Sequence, residues 1–140
     1  MKIITVLMAI TALSFTSSLL AGATPAQDGA KAYIISPVDG ATVSNPVTVR
    51  FGLSGIGVAP AGVERDKTGH HHLLIDVETL PDFNSPIPSD EHHRHFGGGQ
   101  TEVTLELVPG KHRLQLLLGD HHHVPHNSPV LSEPVFITVK

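Results

Sequence analysis

Apolar and polar side chains alternate with a period of two through most of the chain after Lys31, and that period predicts strands. Val47, Val49, Phe51 and Leu53 share one side of a segment whose other side carries Thr48 and Arg50. The stretch 71–78 sets His71, Leu73, Ile75 and Val77 on one face. In 101–108, Val103, Leu105 and Leu107 oppose Glu102, Thr104 and Glu106, and in 112–119 Leu114, Leu116 and Leu118 point together. Shorter strands are predicted at 33–36, stopped by Pro37, and at 134–140, with Val135, Ile137 and Val139 on one side. Leu74 and Leu117 fall on the opposite faces of their strands, so they read as exposed and as a candidate dimer face.

Between these segments lie turns at Val38-Asp39-Gly40 and Pro109-Gly110-Lys111. The Gly-, Pro- and Ala-rich stretch 54–69 reads as a long connection. Leu80 to Phe96, with Pro81, Pro86 and Pro88, reads as an irregular excursion of 17 residues. Loops of that length inside a small domain are uncommon and often functional. No stretch after residue 23 carries a 3.6-residue period, so the expected fold is all-β.

The first 23 residues stand apart: Lys2 leads an apolar run from Ile3 to Phe15 that reaches Ala21-Gly22-Ala23, the form of a cleaved secretory signal peptide. Ala23 rather than Cys follows Leu19-Leu20-Ala21-Gly22, so a lipid anchor is not expected. A periplasmic or secreted mature chain from Thr24 is expected, with a flexible leader at 24–31, a single domain at 32–140 and no transmembrane span. That chain holds 8 basic and 13 acidic side chains, a balance that argues against nucleic acid as a partner. The chain has no cysteine, and both methionines, Met1 and Met8, precede residue 24. The expected mature protein therefore contains no disulfide and no soft sulfur ligand.

Two resemblances follow from longer motifs. The frame SPVDGATVSNPVTVRF, LLIDVE, LELVPGKHRLQLLLGD and SEPVFITV resembles a bacterial immunoglobulin-like domain, which implies an antiparallel β-sandwich of six to seven strands. The motifs GHHHLLID, HFGGGQTE, PGKHRLQLLLGD and HVPHNSPV together resemble domain-of-unknown-function family 4399, a family of exported bacterial proteins that implies no activity.

Ten of the eleven histidines lie in three clusters: His70 to His72, His92 to His95 and His121 to His126. In an immunoglobulin-like sandwich the strands at 71–78 and 112–119 are antiparallel neighbours, and the three clusters come to one end. Single surface histidines are usually solvated polar groups, but convergent imidazoles suit Zn(II), Cu(II) or Ni(II). Alternation puts His70 and His72 on one face and His71 on the other. The expected metal ligands are His70, His72, His95, His121 and His123, with His126 next. His92 and His93 lie in a looser stretch, and Asp76, Glu91 and Asp120 are candidates to orient an imidazole. His112, in a Pro-Gly-x-His hairpin, reads as structural. Gly97-Gly98-Gly99 lacks the helix and lysine of a phosphate loop; it is expected to let the backbone pass close to the histidines, with positive φ at one or more positions.

An all-imidazole donor set without sulfur favours Cu(II) or Zn(II), and the Irving–Williams order favours Cu(II). The expected function is a periplasmic, non-enzymatic module that buffers or delivers such an ion, alone, as a homodimer or with a periplasmic partner protein. The alternative is a cell-envelope interaction module with a pH-sensitive histidine surface. No Ser–His–Asp or paired-carboxylate arrangement has a persuasive spacing, and the motifs of copper–zinc superoxide dismutase are absent, so no enzymatic activity is expected.

Overall fold

In the computed structural model, which describes residues 24–140, the alternating segments close on each other as two packed sheets. The expected signal peptide at 1–23 lies outside the described residues. The strands are β1 (Lys31–Ser36), β2 (Thr42–Val43), β3 (Val47–Ser54), β4 (Gly57–Val58), β5 (Thr68–Ile75), β6 (His93–His95), β7 (Glu102–Leu105), β8 (Gly110–Gly119) and β9 (Val135–Val139). One sheet has the order β1-β3-β7, and the other β2-β9-β8-β5-β4, with β6 also paired to β5. The chain is therefore an all-β, immunoglobulin-like sandwich, with β2 running parallel to β9 and the central pairs antiparallel. Among the described residues no helix is long and apolar enough to cross a membrane.

The core is the meeting of the predicted apolar faces. Val47, Val49 and Phe51 of β3 pack with Leu73 and Ile75 of β5, Leu114, Leu116 and Leu118 of β8, and Val135, Ile137 and Val139 of β9. Burying each such leucine contributes about 1.5–3 kcal/mol, so β8 is the main support of the sheet that carries the histidines.

Several expectations are corrected. β5 starts at Thr68 and ends at Ile75, because Asp76 takes a left-handed φ of 57° and turns the chain out of the sheet. The excursion at 80–96 is not wholly irregular: its last residues form β6 on the edge of β5. Leu74 and Leu117 are completely buried rather than exposed. With Val77 and Ile87 they form a second small core on the outer face of the sheet, covered by Leu80, Phe83 and Leu131. Alternation tells which face a side chain takes, but not what folds over that face. The segment read as a flexible leader is tied down at its start, where Ala26 N–H donates to the Asn127 carbonyl and Asn127 N–H to that of Thr24.

Candidate metal centre

Strand register builds the site. β5 pairs with β8 so that His70 lies opposite Gly119 and His72 opposite Leu117. On the other edge of β5, antiparallel β6 sets His95 opposite His72. Period-two geometry turns the rings of His70 and His72 to the outer face, 4.8 Å apart between centroids. His95 comes within 5.1 Å of His72 and 5.0 Å of His70. The fourth ring, His123, reaches the same place from the loop after β8, 5.0 Å from His70 and 4.8 Å from His95. Nitrogens of these four imidazoles lie within 4.8 Å of one another.

Glycines make the rings fit. A Cβ on Gly119 would stand 2.8 Å from Cε1 of His72 and 3.3 Å from Cα of His123. A Cβ on Gly97 would stand 2.4 Å from Cε1 of His95. The expected close passage of the glycine run thus falls at Gly97, and its positive φ, 82°, at Gly99.

The loop 120–124 is wound around Asp120. Its Oδ1 accepts the N–H groups of His122 (2.9 Å) and Val124 (3.0 Å), and its own carbonyl accepts that of His123 (2.9 Å). Oδ2 accepts the Thr24 hydroxyl at 2.7 Å. His123 is held at φ 66°, a conformation uncommon outside glycine and common at binding sites. Its carbonyl accepts the Ile87 N–H at 2.8 Å, so the excursion and the loop brace each other beside the site.

Two of the four rings, His70 and His72, are 1% exposed, while His95 is open to solvent and His123 half-buried. Burial first, then the neighbouring imidazoles His123 and His95, lowers the His70 pKa to about 4; the Asp120 carboxylate acts in the opposite direction. Burial and the rings of His70, His95 and His123 lower His72 to about 3. His95 is lowered by burial and by His123. All three rings are neutral at pH 7, the form that offers lone pairs to a metal ion.

The donor set fits a first-row divalent ion. One protein hydrogen bond links the four rings, His70 Nε2 to His123 Nδ1 at 3.1 Å, and Nδ1 of both His70 and His72 is buried with no partner. Such orphaned polar atoms cost about 1–3 kcal/mol each. Tetrahedral ligation at 2.0–2.1 Å needs nitrogen pairs roughly 3.3 Å apart, so nitrogens within 4.8 Å of one another need to close by no more than about 1.5 Å. The exposed side at His95 provides a path for an ion.

The other expected ligands stand outside this group. His126 is buried, but its Nε2 donates to the Thr68 carbonyl at 3.1 Å and its ring rests on Gly69. His121 stacks on His122 at 4.0 Å. His92 and His93 bond instead to the Ile75 carbonyl and to Asp90, each at 2.9 Å. His71 points into the sandwich 5.0 Å from Phe51, with neither ring nitrogen partnered; burial lowers its pKa to about 4.

None of the three carboxylates touches a ring of the group. Glu91 is exposed beside His92, Asp120 acts on backbone, and Asp76 lies at the far end. There Asp76 accepts Nδ1–H of His112 at 2.8 Å, while Nε2–H of His112 donates to the Val108 carbonyl at 2.8 Å. Burial opposes a charge on His112, but these two acceptors outweigh it and raise its pKa. His112 is thus structural, as its hairpin motif implied. What sequence reasoning missed was Gly119, detectable only once β8 is known to run beside His70 and His72.

No curated protein matches this chain. Among solved structures, it is similar to the fibronectin(III)-like modules of Clostridium thermocellum CbhA, at 13% identity and a TM-score of 0.36, over 77% of this chain and 92% of that one. The sandwich rests on its own strand order, not on that likeness. The family described as Domain of unknown function (DUF4399) matches residues 49–140, a span that includes all four clustered histidines, and the chain belongs to that family.

Proposed function

We propose that the domain is an exported, non-enzymatic module that takes one Cu(II) or Zn(II) ion through His70, His72, His95 and His123 and buffers or delivers it in the periplasm. The observation that carries this reading is the convergence of four imidazoles from β5, β6 and the loop after β8, two of them buried. Absence of cysteine and of methionine after residue 8 supports Cu(II) over Cu(I), and the affinity order of divalent ions supports Cu(II) over Zn(II). Burial of two rigid strand ligands beside two accessible ones suits an ion that is held and then released.

The test is titration of residues 24–140, produced without a polyhistidine tag, with each metal. Elemental analysis of the protein as purified accompanies it. One equivalent bound at micromolar affinity or tighter is expected, and replacing His72 and His123 together with alanine abolishes it. Failure of the wild type to bind either ion at that level would sink the proposal and leave a pH-sensitive interaction surface as the reading to pursue.

A further inference from the structure

We infer that Asp120 is the positioning residue of this metal centre and supplies the buried negative charge that offsets a bound divalent cation; this rests on the metal-binding reading above. Four neutral imidazoles contribute no charge against an ion of +2. Asp120, 1% exposed, is the one fully buried carboxylate among the described residues. It follows Gly119, the register partner of His70, so the chain itself places this carboxylate beside the centre. A cation held by His70 and its neighbours is attracted by that buried carboxylate, and the attraction is weakly screened because the site is partly dry.

Its geometric role is separate. Three consecutive N–H groups, those of His122, His123 and Val124, end on Asp120, and the Asp120 N–H returns to the Val124 carbonyl at 2.8 Å. That closed loop is what keeps His123 in its left-handed conformation with its ring at the other three. Asp120 touches no imidazole of the group, so it acts through backbone and field rather than as an imidazole's hydrogen-bond partner. Thr24 fixes the second carboxylate oxygen from outside the loop.

The two roles separate by substitution. Asp120→Asn keeps an oxygen for the His122 and Val124 N–H groups and removes the charge. Asp120→Ala removes both. The experiment measures Cu(II) affinity by competition with a chelator and counts coordinated nitrogens from the superhyperfine pattern of the Cu(II) paramagnetic resonance spectrum. Asp120→Asn is expected to keep four nitrogens and lose about tenfold or more in affinity, the usual cost of removing a residue that supports metal ligands. Asp120→Ala is expected to lose one nitrogen as well, that of His123, reproducing the spectrum of His123→Ala.

Wild-type affinity in Asp120→Asn would overturn the charge role, and four nitrogens in Asp120→Ala would overturn the positioning role. If Asp120→Ala does not fold, Thr24→Val takes its place. Loosening Oδ2 without removing charge is expected to weaken Cu(II) several-fold, and an unchanged affinity there would overturn the positioning role. No binding by the wild type would instead overturn the metal reading itself, so the two failures are distinguishable.

Discussion

A single hydrogen in place of a methyl group at Gly119 decides whether His72 can face its partners. Alanine there would meet the His72 ring at 2.8 Å and the His123 backbone at 3.3 Å, and the backbone cannot swing away as a side chain can. Gly119→Ala is expected to lower stability by about 1–3 kcal/mol, the range for overpacking, and to weaken metal binding as well. Paired denaturation and titration measurements check both effects. His126 gives the contrasting case, a buried histidine whose bond goes to the Thr68 carbonyl rather than to the centre. His126→Ala is expected to lower the melting temperature yet keep one equivalent of metal bound. Loss of stoichiometry in that variant would return His126 to the ligand set.

Among the elements, β8 is buried on both faces at Leu116, Leu117 and Leu118 because both are covered, the inner by β3 and the outer by the excursion before β6 together with Leu131. Leu117→Ala is therefore expected to cost about 2–5 kcal/mol, as for other fully buried leucines, with no change of oligomeric state. A neutral effect on stability would restore the exposed dimer face that alternation had suggested. The excursion also ends in the centre: His95 closes it through β6, and its Ile87 N–H holds the His123 carbonyl. One ion bound by His70, His72, His95 and His123 would staple this strap to the sheet. Metal addition is thus expected to slow hydrogen exchange at Ile87 and at 93–95 more than at β1, measured by mass spectrometry. Uniform exchange with and without metal would argue against ligation by His95.

For the whole molecule, the buried histidines set an acid limit. His70 and His71 titrate at about 4 and His72 at about 3 in the folded chain, against 6.5 for a free histidine. Between those values the unfolded chain binds more protons, so stability rises with pH and is lost as pH falls from about 6.5 toward 4. Asp120 adds to the loss at lower pH: burial works to raise its pKa, but the bonds from Thr24, Val124 and His122 prevail and lower it. His112, raised by its two acceptors, acts oppositely and gives up its contribution as pH climbs through its folded pKa. Melting temperature against pH for the metal-free protein is expected to drop steeply on the acid side. Bound metal moves that drop to lower pH, because protons and the ion compete for the same nitrogens. A melting temperature flat from pH 7 to 4.5 would contradict the burial of these rings.

Alternation by itself determined the all-β class, the inward faces of β3, β5, β8 and β9, and the division of His70 and His72 from His71. These follow from a backbone whose side chains reverse direction at every residue. Tertiary structure decided the rest. Pairing at both edges of β5 chose His95 and set Gly119 beside the rings, and neither register is encoded locally. The winding of 120–124 about Asp120 selected His123 from a run of three identical residues, while His126 turned to a backbone carbonyl. Burial of Leu74 and Leu117 likewise depended on where a proline-rich excursion came to rest. Spacing along one strand fixes which side chains share a face, but ligands from separate segments meet only through long-range contacts that no local pattern records.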